Sequence, residues 1–217
     1  MDALQQLLSF AFPVITTLVI SVLSFLFGLI IGFPLALLKV YQNHAGSFVD
    51  VFEKVFRGIP EPVLILMFYF GFTLYLPFPF SNPFFTVIFA LSLRSAANQS
   101  QIFRGSIRGV GDEQMVAARS LGFSKLSSIR HVITPQVFVY STPGLGNEYA
   151  LLIKDSAYAF AIGIFEITKR AELIRSVPPY DLVTPYLIAA SLYILLTFPV
   201  ATYLDMWGSR KKKKLGL

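Results

Sequence analysis

The chain has 217 residues, of which 55% are apolar and 14% charged, with a formal net charge of +6. Soluble domains carry about 25% charged residues, so this shortage of charge and a mean hydropathy of +0.65 exclude an ordinary soluble domain and indicate a membrane protein. The lack of cysteine excludes disulfides, thiolate metal sites and cysteine nucleophiles.

The pattern predicts an all-α, polytopic membrane protein with one transmembrane domain over residues 1–217 and five spans. A spanning helix takes about 20 apolar residues. No charged residue lies between Asp2 and Lys39, or between Glu61 and Arg94. Prolines in the segment LPFPFSNP (Leu76–Pro83) divide the second tract, because proline breaks a helix. The predicted spans are about 10–38, 61–78, 83–107, 136–164 and 182–205.

In span one, Gly28 and Gly32 form a G-x-x-x-G pattern, which is typical of close helix packing. The pattern alone leaves open whether the contact lies within the chain or between two copies.

Basic residues concentrate on one side of the predicted topology, and five of the 18 lie in the tail at Arg210–Lys214. Others follow span one (Lys39, Lys54, Arg57) and span three (Arg104, Arg108, Arg119, Lys125, Arg130). Because cytoplasmic loops carry an excess of Lys and Arg, we expect the N-terminus outside and the C-terminus in the cytoplasm. This placement also favours a membrane anchor over a nucleic-acid surface.

The largest hydrophilic element on the expected cytoplasmic side is the loop 112–135. Met115, Ala118, Leu121 and Gly122 recur at helical spacing, and a second short helix follows. We expect Gly122 to divide the two helices at a close approach, and Pro135 to stop the second helix before span four. Such an element either connects the spans as a solvated helix, rests on lipid or docks into a partner.

Several polar residues fall inside predicted spans, where an ionised side chain costs about 2.5–3.5 kcal/mol on insertion scales. They are Arg94, Asn98 and Gln101 in span three, and Asn147, Glu148, Lys154 and Asp155 in span four. Helical spacing places Glu148 and Asp155 on one face, Asn147 and Lys154 on another, and the span-three residues along one stripe. These charges either only pair with one another, as Arg94 with Glu148, or bind a zwitterionic ligand.

The 112–135 loop resembles the EAA loop of ABC-importer permeases. Ala117, Ala118, Gly122 and Pro135 match that pattern at the family spacing. Val116 stands where the family has glutamate, and Glu113, one turn earlier, is a candidate substitute. The resemblance implies that these helices couple the spans to a cytoplasmic ATPase.

Three further stretches resemble polar amino acid permeases: FRGIPEPVLIL (Phe56–Leu66), ALSLRSAANQSQIFRGSI (Ala90–Ile107) and GLGNEYALLIKDSA (Gly144–Ala157). The resemblance implies the type I importer fold in a prokaryotic inner membrane, with Asn147, Glu148, Lys154 and Asp155 lining the pathway. It implies two ATPase subunits, a second permease, identical or homologous, and an external substrate-binding protein. The expected cargo is a polar amino acid, with basic amino acids among the candidates.

The chain has no G-x-x-x-x-G-K-[ST] loop to hold nucleotide phosphates. We therefore expect no enzyme activity, metal or cofactor in this chain, with ATP bound by the partner. One alternative is a stand-alone secondary carrier or channel. Inverted repeats would favour a carrier, and we find no convincing internal repeat in the sequence. The other alternative is a membrane scaffold, which would not need charges inside its spans.

Overall fold

The computed structural model describes residues 3–42, 46–73, 75–177 and 181–215, and every regular element in these ranges is a helix. The α-helices are α1 Ala3–Leu8, α2 Ala11–Tyr41, α3 Gly46–Gly58, α4 Glu61–Phe72, α5 Pro83–Val110, α6 Asp112–Ser120, α7 Lys125–Ser128, α8 Thr134–Asp155, α9 Ile167–Arg175 and α10 Thr184–Leu215. A π-helical turn, Ile129–Ile133, joins α7 to α8, and a 3₁₀ segment, Ser156–Ile162, follows α8.

Two stretches of the described chain are long and apolar enough to cross a membrane by length and composition, Gln5–Tyr41 and Thr184–Lys214. The apolar helix Glu61–Gly71 is shorter. Helices α5 and α8 also have spanning length, at 28 and 22 residues. They bury serine, threonine and charged side chains against each other and against α2, which lowers their hydropathy while keeping those groups away from lipid.

Helices α2 and α5 form the closest pair in the core. A Cβ atom added at Gly28 would lie 2.8 Å from Ser95 Oγ, and one at Gly32 would lie 2.7 Å from the carbonyl oxygen of Ala96. Gln99 Nε2 donates to the carbonyl of Phe25 at 3.0 Å across the same contact. The G-x-x-x-G pattern therefore serves packing within the chain.

Helices α3 and α4 run antiparallel along α5. Glu53 accepts from Ser100 at 2.8 Å, Glu61 pairs with Arg94, and Thr73 meets Thr86 at 3.4 Å. Helices α3 and α4 thus lie end to end along α5, and the helical path is interrupted at Ile59 and Pro60. The interruption follows from Pro60, which precedes α4 in an extended conformation and cannot donate a backbone hydrogen bond.

Helix α10 lies against α8 through small residues. A Cβ added at Gly208 would clash with Thr142 Oγ1, and one at Gly146 would lie 3.5 Å from the carbonyl oxygen of Ala201. At the start of α10, Asp181 accepts from the backbone of Val183 and Thr184 at 3.1 and 2.9 Å. Hydrogen bonds from the Thr184 side chain and from these amides hold the pKa of Asp181 below its usual value.

The predicted hydrophilic loop forms two short helices, α6 and α7, separated by a glycine turn. Gly122 has φ +85°, and the amides of Gly122 and Phe123 donate to the carbonyls of Arg119 and Ala118. This is the Schellman pattern that ends a helix with a left-handed residue. A Cβ at Gly122 would meet nothing within 4 Å, so the expectation of a close approach there is wrong. Backbone conformation, not space, requires glycine.

Pro135 does not stop the helix, contrary to the prediction. It is the second residue of α8, a position in the first turn whose N–H has no partner in the helix, so proline is tolerated there. The preceding π-helical turn closes with a bond from the Thr134 amide to the Ile129 carbonyl. Lys125 to Asp155 therefore forms a continuous helical path from the loop into the core.

Replacing Gly122 with alanine should distort this junction, because a left-handed conformation costs a residue with a Cβ about 1–2 kcal/mol. The unfolding temperature should fall while the protein still inserts into the membrane, as measured by thermal unfolding in detergent and by the amount of extracted protein. Gly105→Ala is the matched control, since Gly105 also faces open space but has ordinary helical φ. Equal unfolding temperatures of the two variants would contradict the role of this turn.

Candidate functional site

A single arginine meets three carboxylates where α4, α5 and α8 converge. Arg94 Nη2 pairs with Glu61 Oε1, while its Nη1 lies 3.8 Å from Glu148 Oε1 and 3.5 Å from Asp155 Oδ2. The side chain of Glu148 is only 2% exposed, and those of Arg94 and Asp155 are 14% and 12% exposed. Glu148 and Asp155 share a face of α8 because they lie seven residues, about two turns, apart.

Asn98 connects this cluster to α3. Its Nδ2 donates to Glu148 Oε2 at 3.0 Å, and its Oδ1 accepts from Arg57 Nε at 3.0 Å. Arg94 and Asn98 are four residues apart on α5, so both face Glu148. We call Glu61, Arg94, Asn98, Glu148 and Asp155 the central cluster.

Three atoms of the central cluster are buried without a hydrogen-bond partner among the described residues: Arg94 Nη1, Glu148 Oε1 and Asp155 Oδ2. Their ion-pair distances of 3.5 and 3.8 Å exceed hydrogen-bonding distance. A buried polar atom that lacks a partner costs about 1–3 kcal/mol. The arrangement is therefore suited to a ligand that both donates to the carboxylates and accepts from the guanidinium.

The formal charge of the central cluster is negative. Glu61, Glu148 and Asp155 contribute three carboxylates against the one guanidinium of Arg94. A ligand with an ammonium or guanidinium group would complement this charge. The alternative that these charges only pair with one another therefore involves four side chains, because Glu61 and Asp155 contact the same arginine as Glu148.

A second buried cluster surrounds Glu53 on α3, nearer the end of α5. Glu53 accepts hydrogen bonds from Lys39, Ser100, Gln101 and Arg104 at 2.8–3.2 Å, and Lys39 also pairs with Asp50. A cavity of about 450 Å³ opens beside it. Gln101 belongs to this second cluster, not to the central one.

Asn147 and Lys154 are exposed on α8 and make no hydrogen bond or ion pair with the central cluster among the described residues. Both lie on a different face of α8 from the buried Glu148, since their spacing turns them about 100–120° away from it. No three side chains of the described ranges are placed to hold a metal ion.

Sequence reasoning missed Glu61, Arg57 and Glu53. Glu61 and Arg57 flank the break at Pro60. The sequence pattern indicated a loop for Arg57 and the membrane edge for Glu61, because the predicted span begins at residue 61. The signal that would have found them is the helical spacing of Glu53, Arg57 and Glu61, which are each four residues apart and share one face.

The loop 112–135 presents an apolar surface. Leu121 and Leu126 are 79% and 76% exposed, Val116 is 63% exposed, and Phe123 is also exposed. Of the family-pattern residues, Ala118 is buried, whereas Ala117, Gly122 and Pro135 are exposed. Val116 thus exposes an apolar side chain where the family pattern has a glutamate. Exposed apolar patches of this kind mark protein–protein contacts.

A bundle of apolar helices around a buried, charged centre is typical of an integral membrane protein that moves polar molecules. A family described as "Binding-protein-dependent transport system inner membrane component" matches residues 24–213, and the chain belongs to this family. It is therefore a membrane subunit of an ABC transport system, and ATP hydrolysis resides in separate subunits.

Similar proteins include the nopaline transport system permease protein NocM of Agrobacterium fabrum, 32% identical over 90% of this chain and 87% of the relative. The arginine ABC transporter permease protein ArtQ of Haemophilus influenzae is 33% identical over 83% of both chains. The arginine transport system permease protein ArtQ of Bacillus subtilis is 32% identical over 91% of this chain and 89% of the relative.

Among solved structures, an amino acid ABC transporter crystallised with histidines superimposes with a TM-score of 0.82 at 31% identity, covering 97% of this chain and 99% of the other. The inward-facing MetNI methionine ABC transporter gives a TM-score of 0.81 at 17% identity, over 97% of this chain and 99% of the other. The latter likeness shows the fold alone. Both comparisons agree with the predicted all-α fold of a type I ABC importer permease.

Proposed function

We propose that this chain is the membrane-spanning subunit of an ATP-driven importer for polar amino acids, with basic amino acids preferred. The observation that carries the proposal is the central cluster, in which three carboxylates surround one guanidinium. Arg94, Glu148 and Asp155 each have a buried atom that lacks a hydrogen-bond partner within the described part of the chain. The relatives named for arginine and nopaline transport support this class of cargo. Family membership speaks against the alternative of a stand-alone carrier or channel.

The chemistry of the cluster suggests how an amino acid binds. The ammonium group, or a cationic side chain, would lie against Glu148 and Asp155, and the carboxylate would approach Arg94. Each charge-assisted hydrogen bond of this kind is worth about 1.5–3 kcal/mol. Lys154 is exposed, whereas Arg94 lies beside Glu148 and Asp155, so Arg94 is the better candidate for the partner of the carboxylate.

The proposal predicts ATP-dependent accumulation of amino acids in proteoliposomes. The chain would be reconstituted with two ATPase subunits, a second permease, identical or homologous, and the external binding protein. Arginine and lysine should be taken up or should compete more effectively than glutamate, because the central cluster is formally negative. Uptake that does not need ATP would favour the carrier alternative, and a preference for glutamate would contradict the assigned cargo.

We propose that the coupling helices α6 and α7 dock into the ATPase subunit through the exposed side chains of Leu121 and Leu126. Replacing both leucines with glutamate should abolish co-purification of the ATPase, because buried unpaired charges oppose an apolar contact. Arg130→Glu, a charge change at an exposed position one turn later, is the control and should retain most of the association. Unchanged co-purification of the double variant would exclude this surface as the docking site.

We also propose that the second membrane span comprises both α3 and α4, with Pro60 at its break, rather than residues 61–78 alone. Broken helices whose ends face a buried site are a common device in transporters. In this topology the N-terminus is outside and the C-terminus is cytoplasmic. A reporter fused after Leu217 should be active only in the cytoplasm, and one inserted at Ser81 only outside. The reverse result would overturn both the orientation and the docking surface.

A further inference from the structure

The last turns of α10 carry five consecutive cations, Arg210–Lys214, and none forms an ion pair with a carboxylate among the described residues. The segment is helical, so its charges are held close together and do not spread along a flexible tail. Like charges at three- and four-residue spacing repel one another. An anionic partner would relieve this repulsion.

These cations are attached to the core of the protein. Lys212 Nζ lies 4.6 Å from the ring centre of Tyr140 on α8, within the range of a cation–π interaction. The ring of Tyr140 in turn lies 3.6 Å from the position of a Cβ at Gly109, at the end of α5. One turn earlier on α10, Gly208 packs against Thr142. The tail therefore contacts α8, the helix that carries Glu148, directly.

The surroundings of the cations are those of a bilayer surface. The stretch Thr184–Lys214 has a mean hydropathy of 1.9 in its most apolar window, and only 6% of that window is buried. Trp207 lies one turn before the cations and is partly exposed. Lys211 Nζ lies 5.8 Å from the centre of its ring. Tryptophan concentrates at the membrane–water interface. A cavity of about 600 Å³ lies between Trp207 and the side chains of Arg210, Lys211, Lys213 and Lys214.

We propose that the end of α10 is a binding site for the headgroups of anionic phospholipids, with Trp207 at the level of the interface. Phosphates of the headgroups would lie among Arg210, Lys211, Lys213 and Lys214, while Lys212 stays on Tyr140. A lipid surface fits better than an acidic protein because the cations follow directly on a helix whose apolar side chains are exposed. Occupation of the site would hold α10 against α8, so transport would depend on anionic lipid.

Trp207 is the only tryptophan in the chain, which makes it a reporter at the proposed site. The full-length protein would be reconstituted into vesicles of phosphatidylcholine and phosphatidylglycerol, with bromine atoms on the chains of one lipid or the other. The quenching of Trp207 fluorescence by each brominated lipid gives their relative affinities. Phosphatidylglycerol should bind roughly fivefold or more tightly than phosphatidylcholine. The preference should fall with salt, because exposed charges are screened.

The variant with Arg210, Lys211, Lys213 and Lys214 changed to glutamine should lose the preference while keeping Trp207 and Lys212. Arg175→Gln, which removes a cation elsewhere on the surface, is the control and should keep it. Equal quenching by both lipids in the unchanged chain would overturn the proposal. If the glutamine variant lost ATPase co-purification and the unchanged chain showed no lipid preference, the partner would be the ATPase and not the membrane.

Discussion

Replacing Arg94 with glutamine is expected to destabilise the protein by about 3–5 kcal/mol, because it leaves three buried or half-buried carboxylates without their shared cation. Glu61, Glu148 and Asp155 come from α4 and α8, so the loss should loosen both helices from α5. A lower unfolding temperature of the purified protein in detergent would measure the effect. Uptake should be lost as well.

The control for this variant is Arg108→Gln, which removes an exposed arginine from the last turn of the same helix. Its stability should change little, because exposed charges contribute at most about 1 kcal/mol. The double variant Arg94→Asn with Glu148→Gln gives a second test. If Arg94 neutralised Glu148 alone, that variant would restore stability; since Glu61 and Asp155 also contact Arg94, we expect it to remain unstable. An Arg94→Gln protein as stable as the unchanged chain would contradict the assignment.

The positions of the long helices were largely predictable from the sequence. Asn82 and Pro83 begin α5 where the pattern placed span three, since Asn82 accepts from the amide of Phe84 at 2.9 Å and proline suits the first turn. The shared face of Glu148 and Asp155 followed from helical spacing alone. Such features are local, and local spacing is what a sequence displays directly.

The features that escaped prediction depend on tertiary contacts. Gln101 donates a hydrogen bond to Glu53, whereas Asn98 donates one to Glu148. The difference depends on which helix packs opposite each residue. The sequence did not predict that α3 packs beside α5. The charged residues of α3 lower its hydropathy, so the hydropathy pattern indicated a loop there. Glu53 is tolerated there because Lys39, Ser100 and Arg104 all donate to it. Only the structure shows that those partners are present.

The contacts of the central cluster predict different stabilities for single substitutions of its residues. Glu148 accepts from Asn98 at 3.0 Å, and a glutamine oxygen can accept the same bond. Arg94 keeps Glu61 and Asp155 when Glu148 is neutralised. Glu148→Gln should therefore fold with stability near that of the unchanged chain, unlike Arg94→Gln. This difference separates a role in binding from a role in folding.

In a stable Glu148→Gln protein, amino acid uptake should fall roughly ten- to a hundredfold, because a hydrogen bond to a charged group contributes about 1.5–3 kcal/mol. The loss should be larger for arginine than for glutamine, since the variant reduces the negative charge that a cationic side chain would meet. Uptake and competition assays in proteoliposomes would measure both effects, with Asp205→Asn as the control, because Asp205 is exposed on α10 away from the cluster. Normal uptake by a stable Glu148→Gln protein would exclude contact between Glu148 and the substrate. An equal loss for arginine and glutamine would place Glu148 at the common ammonium group instead of the side chain.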